Sequence, residues 1–206
     1  MTEPDVTLTD YLLTLECGIF AYQLWKIRAS SLRNFCSLFF LALAFTSFVG
    51  GTVHGFFLDE STLASQILWR LTLVGMGVVS FFSLLIGAHL TGALSSQRIV
   101  AVGGMVGLIL YSIYVVGWNQ AFYVAILAYL PSILFLLVAF FLKGSTKGVL
   151  ALSIVLAASA IQYFQIALHP TYFNHNALYH LLQAIALAIL FVAFRDLVVQ
   201  GSRSSI

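Results

Sequence analysis

Charged residues are scarce in this chain, and their scarcity excludes a water-soluble protein. Asp, Glu, Lys and Arg make up 8% of the 206 residues, whereas 61% are hydrophobic. A soluble domain carries about 25% charged residues because water must solvate its surface. The sequence therefore predicts that lipid surrounds most of the chain. The apolar runs are longer than the alternating segments of roughly ten residues that build membrane β-barrels, so the expected fold class is all-α.

Other sequence signals are missing as well. The two cysteines, Cys17 and Cys36, both fall within apolar runs. We expect no disulfide between them, because structural disulfides favour oxidising aqueous compartments. The first residues lack the basic segment of a signal peptide, so we expect the first helix to act as an uncleaved anchor. Basic residues are scattered at the ends of apolar runs, which argues against a nucleic-acid partner.

Seven apolar segments are long enough to cross a membrane, since a spanning helix needs roughly 20 residues. Polar, glycine-containing or charged joints separate these segments, which together occupy almost the whole chain. We therefore predict a single seven-helix membrane domain over residues 1–206. The predicted spans are Leu8–Trp25, Phe35–Phe56, Leu63–Leu85, Ile99–Val116, Ala121–Leu142, Val149–Leu168 and Ala177–Phe194.

The charges between the spans predict how the chain is oriented. Eight basic residues fall on one side of the predicted bundle, and most acidic residues fall on the other. The positive-inside rule then places the N-terminus outside and the C-terminus in the cytoplasm. The expected location is the inner membrane of a bacterial cell. The eight basic residues are Lys26, Arg28, Arg33, Arg98, Lys143, Lys147, Arg195 and Arg203.

Ionisable residues also lie within the predicted spans, where they are costly and mark functional sites by default. Asp10, Glu16, His54, Arg70 and His180 all fall in the outer half of the predicted bundle. We therefore expect these side chains to converge on one pocket near the extracytoplasmic face. The alternative is a polar network that only fixes helix packing, in which Glu16 pairs with Arg70.

Helix two carries the first group of candidate site residues. Ser47, Gly51 and His54 share one face of this helix, because their spacing follows the helical repeat. Glycine at position 51 and its neighbour would let a substrate or another helix approach His54 closely. Asp59 follows the same helix and is a candidate catalytic carboxylate.

Helix seven opens with the second group, in the segment NHNALYHLL. Asn176 and His180 are four residues apart and share a face. His175 would meet His180 only through an irregular first turn, because five residues correspond to about 140° around a regular helix. Two imidazoles with nearby carboxylates suit a zinc ion that keeps one coordination position open. Such an ion lowers the pKa of its bound water to about 7.

The seven spans, His54 in GGTVHGF and His180 in NHNALYHLL resemble the alkaline ceramidase and adiponectin-receptor superfamily. The opening TEPDVTLTDYLLTLE also resembles an uncharacterised bacterial group allied to it. Members of this superfamily are seven-helix, zinc-dependent membrane hydrolases of lipid amides. The resemblance implies that His54 and His180 bind zinc. Asn176 stands where the first helix-seven ligand is expected, Gly50 stands where an assisting serine is expected, and Asp59 matches the family aspartate loosely.

The first functional hypothesis is therefore a membrane-embedded, zinc-dependent hydrolase of a lipid amide or ester. His175 or Asn176 would complete the metal ligands beside the two histidines of the resemblance. Asp59 or Glu16 would orient or deprotonate the water, and Ser47 is a further catalytic candidate. The expected partners are membrane lipids, with a lipid substrate or a small polar ligand in the pocket.

Two other hypotheses remain open at this point. The same pocket would serve a non-catalytic sensor or scaffold that binds a lipid or small ligand at a degenerate metal site. A proton-coupled transporter would use Asp10, Glu16, His54 and His180 as a relay. The lack of an internal repeat and of polar residues in the cytoplasmic half argues against the transporter.

Overall fold

The computed structural model describes residues 2–92, 94–169 and 173–203, with the side chains of Leu94, Ser202 and Arg203 outside the described part. Seven α-helices account for most of these residues, and the described ranges contain no strand beyond an isolated bridge between His169 and Phe173. The helices are α1 (Pro4–Trp25), α2 (Ser31–Phe56), α3 (Leu63–Thr91), α4 (Leu94–Gly117), α5 (Phe122–Leu142), α6 (Thr146–Tyr163) and α7 (His175–Arg203).

Six of the seven helices, α2 to α7, are long and apolar enough to cross a membrane. The chain is therefore a multi-pass, all-helical membrane protein, which confirms the predicted class. Helix α1 has 22 residues but carries Asp5, Asp10 and Glu16, so it is not among these six. Its status as a seventh span and the orientation of the termini stay predictions.

The ends of several helices differ from the ends of the predicted spans. Helix α2 begins at Ser31 rather than Phe35, because the Ser30 side chain accepts a hydrogen bond from the Arg33 backbone N–H and caps the helix. Helix α3 continues to Thr91. Helix α6 ends early, at Tyr163 rather than Leu168. Hydropathy marks the lipid-facing length of a helix, whereas capping groups decide where it begins and ends.

The helices form a ring with one helix outside it. Helix α1 packs against α2 and α7, α2 packs against α3, α3 against α5, α5 against α6, and α6 against α7, which closes a ring of six. Among the described residues, helix α4 packs mainly against α3, and most of its apolar side chains are exposed. We call the end where α1, α3, α5 and α7 begin the mouth end.

Two glycines of α2 set the close approach of α1. A Cβ atom at Gly51 would lie 2.8 Å from the Cβ of Asp10, and one at Gly55 would lie 2.9 Å from Thr7 Cγ2. Small residues four apart let two membrane helices come into backbone contact. The glycines beside His54 therefore admit another helix, one of the two occupants that the sequence suggested.

Aromatic side chains fill the ring at the end opposite the mouth. The ring centroid of Phe194 lies 5.7 Å from that of Phe39, 5.9 Å from Phe40 and 5.8 Å from Phe140. Phe40, Phe140 and Phe194 are fully buried. This cluster closes the bundle at that end, so the interior of the ring opens toward the mouth.

Candidate functional site

An elongated cavity of about 340 Å³ occupies the interior of the ring. On α2 it is lined by residues from Phe39 to His54, and on α7 by residues from His175 to Leu190. Fifteen helical residues span about 22 Å at 1.5 Å per residue. The cavity therefore runs most of the way from the mouth to the aromatic cluster. We call it the inner cavity.

The lining of the inner cavity changes from polar to apolar along its length. Ionisable and amide side chains line the mouth, whereas mostly aliphatic and aromatic side chains, with the hydroxyls of Ser80 and Ser83, line the far half. The polar group at the mouth is Asp10, His54, Gln162, His175, Asn176 and His180. The apolar group includes Phe39, Leu43, Val79, Ile133, Leu187 and Leu190.

His54 stands at the mouth with the N-terminal segment folded over it. Its Nδ1 atom lies 2.5 Å from Glu3 Oε2. The Glu3 backbone N–H donates to the His54 carbonyl (3.2 Å), and the Thr2 N–H donates to the Gly55 carbonyl (3.2 Å). These bonds satisfy carbonyls at the end of α2 that have no partner within the helix, so they fix the position of Glu3.

His180 is the more enclosed histidine, and both of its ring nitrogens face α1. Nε2 lies 3.5 Å from Asp10 Oδ1, and the two side chains are 12% and 6% exposed. Nδ1 lies 3.2 Å from Thr9 Oγ1. The Thr9 hydroxyl has a single proton, and the carbonyls of Asp5 and Val6 both lie 2.9 Å away as acceptors. With its proton on one of these carbonyls, Thr9 is placed to accept from His180 Nδ1–H.

This assignment leaves Nε2 of His180 facing a buried carboxyl group. In the neutral tautomer with a proton on Nδ1, Nε2 carries a lone pair. A proton on Asp10 would then relieve the repulsion between these two acceptors, whose Nε2 and Oδ1 atoms lie 3.5 Å apart. The pair is thus able to hold or release a proton at the mouth of the inner cavity.

His175 and Asn176 also line the inner cavity, at the start of α7. The Asn176 side-chain oxygen accepts from Gln162 Nε2 at 2.6 Å, which ties α7 to α6. The helix is regular from His175 onward, and its cap is Asn174, whose Oδ1 accepts from the Ala177 N–H (3.0 Å). The irregular first turn is therefore not formed, yet His175 and His180 still line one cavity.

The three proposed catalytic side chains lie in different places, and one of them lines the inner cavity. Ser47 lines the inner cavity, two turns deeper than His54. Asp59 lies in the exposed loop between α2 and α3, where its Oδ1 accepts from Ser61 Oγ (2.6 Å) and the Ser61 N–H (3.0 Å). These two bonds lower the pKa of Asp59 below its ordinary value, which makes its carboxylate a weaker base. Glu16 does not line the cavity either.

The ion pair between Glu16 and Arg70, which belonged to the alternative of a packing network, does not form. Helix α1 packs against α2 and α7, whereas Arg70 is on α3. The Arg70 guanidinium instead faces the side chain of Gln120. Glu16 Oε2 is buried without a hydrogen-bond partner in the described part of the chain. The alternative of a packing network thus does not hold for this pair.

The described residues do not fit the zinc site that the resemblance implies. Within residues 2–92, 94–169 and 173–203, no three His, Cys, Asp or Glu side chains are placed to hold one metal ion. Nδ1 of His54 is engaged by Glu3, and both nitrogens of His180 face Asp10 or Thr9. Asn176 is held by Gln162. Zinc binding would require these contacts to be exchanged for metal bonds.

A family model matches residues 6–198, from the first turn of α1 to the last part of α7. Its description is "Family of unknown function (DUF6962)". The chain belongs to the DUF6962 family. No curated protein and no solved structure matches this DUF6962 chain. The match therefore assigns the chain to a family but assigns no activity to it.

The sequence analysis of this DUF6962 protein missed several polar groups of the cavity region. Glu3 was counted only as an external charge, because it precedes the first apolar run. Thr9 gave no signal, since threonine in a helix ordinarily bonds to a carbonyl one turn back. Pairs of hydroxyl groups also link α5 to its neighbours. Tyr129 bonds to Ser159, and the Ser80 hydroxyl donates to Ser132 Oγ at 3.0 Å.

Proposed function

We propose that this protein binds a single-chain amphiphile in the inner cavity. The observation that carries the proposal is the division of the cavity lining, with ionisable and amide groups at the mouth and mostly apolar side chains beyond it. A volume of about 340 Å³ lies within the range of small-molecule sites, roughly 300–1,000 Å³. The length and the apolar far half suit one acyl chain, and the mouth suits its headgroup.

The headgroup supplies the selectivity of such a site. An acyl chain that leaves the bilayer for the cavity exchanges one apolar environment for another, so the hydrophobic effect contributes little. Hydrogen bonds at the mouth are worth about 0.5–1.5 kcal/mol each, and more where a charged group takes part. The carboxylates of Glu3 and Asp10 stand beside the histidines there. This charge pattern favours an uncharged amide, hydroxyl or glycerol headgroup over a carboxylate.

The proposal includes the topology predicted from the charges. Helix α1 would be the seventh span, since Gly51 and Gly55 seat it against α2 in the ring. Lys26 and Lys143 follow helix ends opposite the mouth. The mouth would then face the outside of a bacterial inner membrane. Single cysteines at Ser61 and Thr146, labelled in intact cells with an impermeant thiol reagent, test this. If only Thr146→Cys is labelled, the orientation is the opposite of the one proposed.

Binding is tested with the purified full chain in mild detergent and N-palmitoyl ethanolamine as the probe. Leu187 is 4% exposed and lines the cavity, whereas Leu181 on the same helix is 40% exposed. Leu187→Trp should fill the cavity and weaken binding by about tenfold or more, and Leu181→Trp should leave it within about twofold. Equal affinities of the two variants would refute the proposal.

Hydrolysis of a lipid amide or ester is the second candidate. It is favoured by two histidine–carboxylate pairs, His54 with Glu3 and His180 with Asp10, beside the position of the headgroup. Positioned histidines contribute about 10²–10⁴-fold as general acids or bases. The test is release of fatty acid from the bound probe, with and without a chelator. Release that His180→Ala and His54→Ala both abolish would support it, and no release from saturated protein would exclude this substrate.

A further inference from the structure

A second cavity, of about 530 Å³, lies beside the inner cavity at the mouth end. It is enclosed by the end of α2, the first turns of α3 and the connection between α4 and α5. We call it the vestibule. His54 and Trp69 line both cavities, and their rings meet edge to face with centroids 6.2 Å apart. Arg70, Glu60 and Gln120 line the vestibule only.

Arg70 enters the vestibule without a carboxylate partner. With the Gln120 amide oriented so that its oxygen faces the guanidinium, this oxygen accepts from Arg70 Nε (3.2 Å) and Nη2 (3.1 Å). Among the described side chains, no Asp or Glu forms an ion pair with Arg70. A guanidinium has five N–H donors. Two of them are used by Gln120, so three remain for a ligand.

The surroundings of Arg70 hold it in one place. Trp69 Nε1 donates to the Gln120 carbonyl at 2.8 Å, and the Ala121 N–H donates to Asn119 Oδ1 at 3.0 Å. These bonds fix the connection that carries the Gln120 side chain. Gln66 Nε2 donates to the Glu60 carbonyl at 3.0 Å on the other side. A guanidinium that is already oriented loses little conformational entropy when it binds an anion.

The position of Arg70 makes an unpaired charge costly. Arg70 is half-buried and lies seven residues after the start of α3, or about 10 Å along the helix. At that depth a cation without a counter-charge is unfavourable, and intramembrane arginines are ordinarily paired. Glu60 is exposed at the rim, where it makes no ion pair with Arg70. An anion bound in the vestibule would supply this counter-charge.

We propose that the vestibule is an anion site in which Arg70 binds a carboxylate or a phosphate. Arginine holds both groups through two parallel N–H···O bonds. The anion could belong to a membrane lipid headgroup or to a small soluble molecule. This inference goes beyond the amphiphile site, because the inner cavity has carboxylates at its mouth and Arg70 is outside it. Failure of one site leaves the other intact.

The test uses the full chain in nanodiscs of uncharged-headgroup lipid, with dodecyl phosphate, inorganic phosphate and dodecyl maltoside as separate probes. Arg70→Gln removes the charge, Arg70→Lys keeps the charge without the two-pronged geometry, and Arg98→Gln is the matched control. Arg98 is an exposed arginine on α4. The affinity of Arg70→Gln for dodecyl phosphate should be about tenfold or more below that of the original chain. The affinity of Arg70→Lys should lie between these two values, and that of Arg98→Gln should be within about twofold of the original chain.

The probes separate the two sources of the anion. Saturable binding of inorganic phosphate with the same dependence on Arg70 assigns the site to a soluble anion, whereas binding of dodecyl phosphate alone assigns it to a lipid headgroup. Binding that is equal in Arg70→Gln and the original chain overturns the proposal. Should Arg70→Gln fail to fold, the proposal is still tested by comparing the two dodecyl probes on the original chain. Dodecyl phosphate that binds no more tightly than dodecyl maltoside overturns it equally. Unchanged binding of N-palmitoyl ethanolamine to Arg70→Gln separates this result from the inner cavity.

Discussion

The contact between α1 and Gly51 gives a quantitative prediction, because the inner cavity depends on it. A Cβ atom at Gly51 would lie 2.8 Å from Asp10 Cβ and 3.2 Å from two ring carbons of Tyr11. Carbon atoms attract best at about 3.5–4.0 Å. In the Gly51→Ala variant, α1 must therefore move by roughly 0.5–1 Å. Neither neighbour offers easy relief, since Cβ is fixed to the backbone and the Tyr11 hydroxyl is bonded to Thr52.

The free energy of unfolding follows from two opposing effects. Overpacking of this kind costs about 1–3 kcal/mol. Alanine in place of glycine within a helix returns up to about 1 kcal/mol. Gly51→Ala should thus be destabilised by about 0–3 kcal/mol. Gly103 on α4 is the matched control, because a Cβ atom there meets nothing within 4 Å. Gly103→Ala gains the helix propensity of alanine without the overpacking. The free energies of unfolding of the two variants should therefore differ by about 1–3 kcal/mol.

The assay is reversible unfolding of both variants in the same bicelles, followed by the fluorescence of the three tryptophans. Displacement of α1 also disturbs the contacts of Asp10 with His180 and of Glu3 with His54. Gly51→Ala should therefore bind N-palmitoyl ethanolamine more weakly, while Gly103→Ala binds it as the original chain does. A Gly51→Ala protein as stable as Gly103→Ala, with unchanged binding, would refute the close packing of α1 against α2.

Three further predictions concern individual groups. Thr9→Val should cost about 0.5–1.5 kcal/mol because it removes one hydrogen-bond partner of the His180 ring. Thr14→Val, whose hydroxyl donates to the Asp10 carbonyl (3.0 Å), is the control in the same unfolding assay. Asp59→Asn should leave probe binding unchanged. The pKa of Asp59 is lowered in the folded protein. Its carboxylate therefore stabilises the fold above the unfolded pKa of about 3.9, and this effect is lost as the pH falls through the folded pKa. The free energies of unfolding of Asp59→Asn and of the original chain should accordingly become equal below that pH. Metal analysis after chelator-free purification should find less than roughly a tenth of an equivalent of zinc.

The number and type of helices followed from the sequence for a simple physical reason. Lipid demands long apolar helices with internally paired backbone groups, and continuous apolar runs are easy to recognise. The arrangement of these helices was harder to predict. Helix α4 is as apolar as the others, yet it lies outside the ring. Its glycines did not indicate this position, since a Cβ atom at Gly104 would meet Phe81, whereas one at Gly103 or Gly107 would meet nothing within 4 Å.

The candidate site was predicted well in one respect, namely that polar side chains would meet at one end of the bundle. His54, His175, Asn176, His180 and Ser47 line one cavity, as the sequence suggested. Asp59 lies outside this cavity, held in its own loop by donors from Ser61, a local effect that spacing along the chain does not reveal.

Glu16 shows why the sequence could predict depth but not partners. The number of residues from a helix end fixes how deep a polar side chain lies, so Asp10 and Glu16 were both placed near the mouth. Six residues, however, turn a helix by about 240°, so the two carboxyl groups of α1 cannot face the same neighbour. In water, an apolar stripe would indicate which face is buried. In lipid both faces are apolar, as Leu13 (4% exposed) and Leu15 (67% exposed) illustrate. The partners of a buried carboxylate then depend on helix rotation and helix order, which close glycine contacts determine and hydropathy does not.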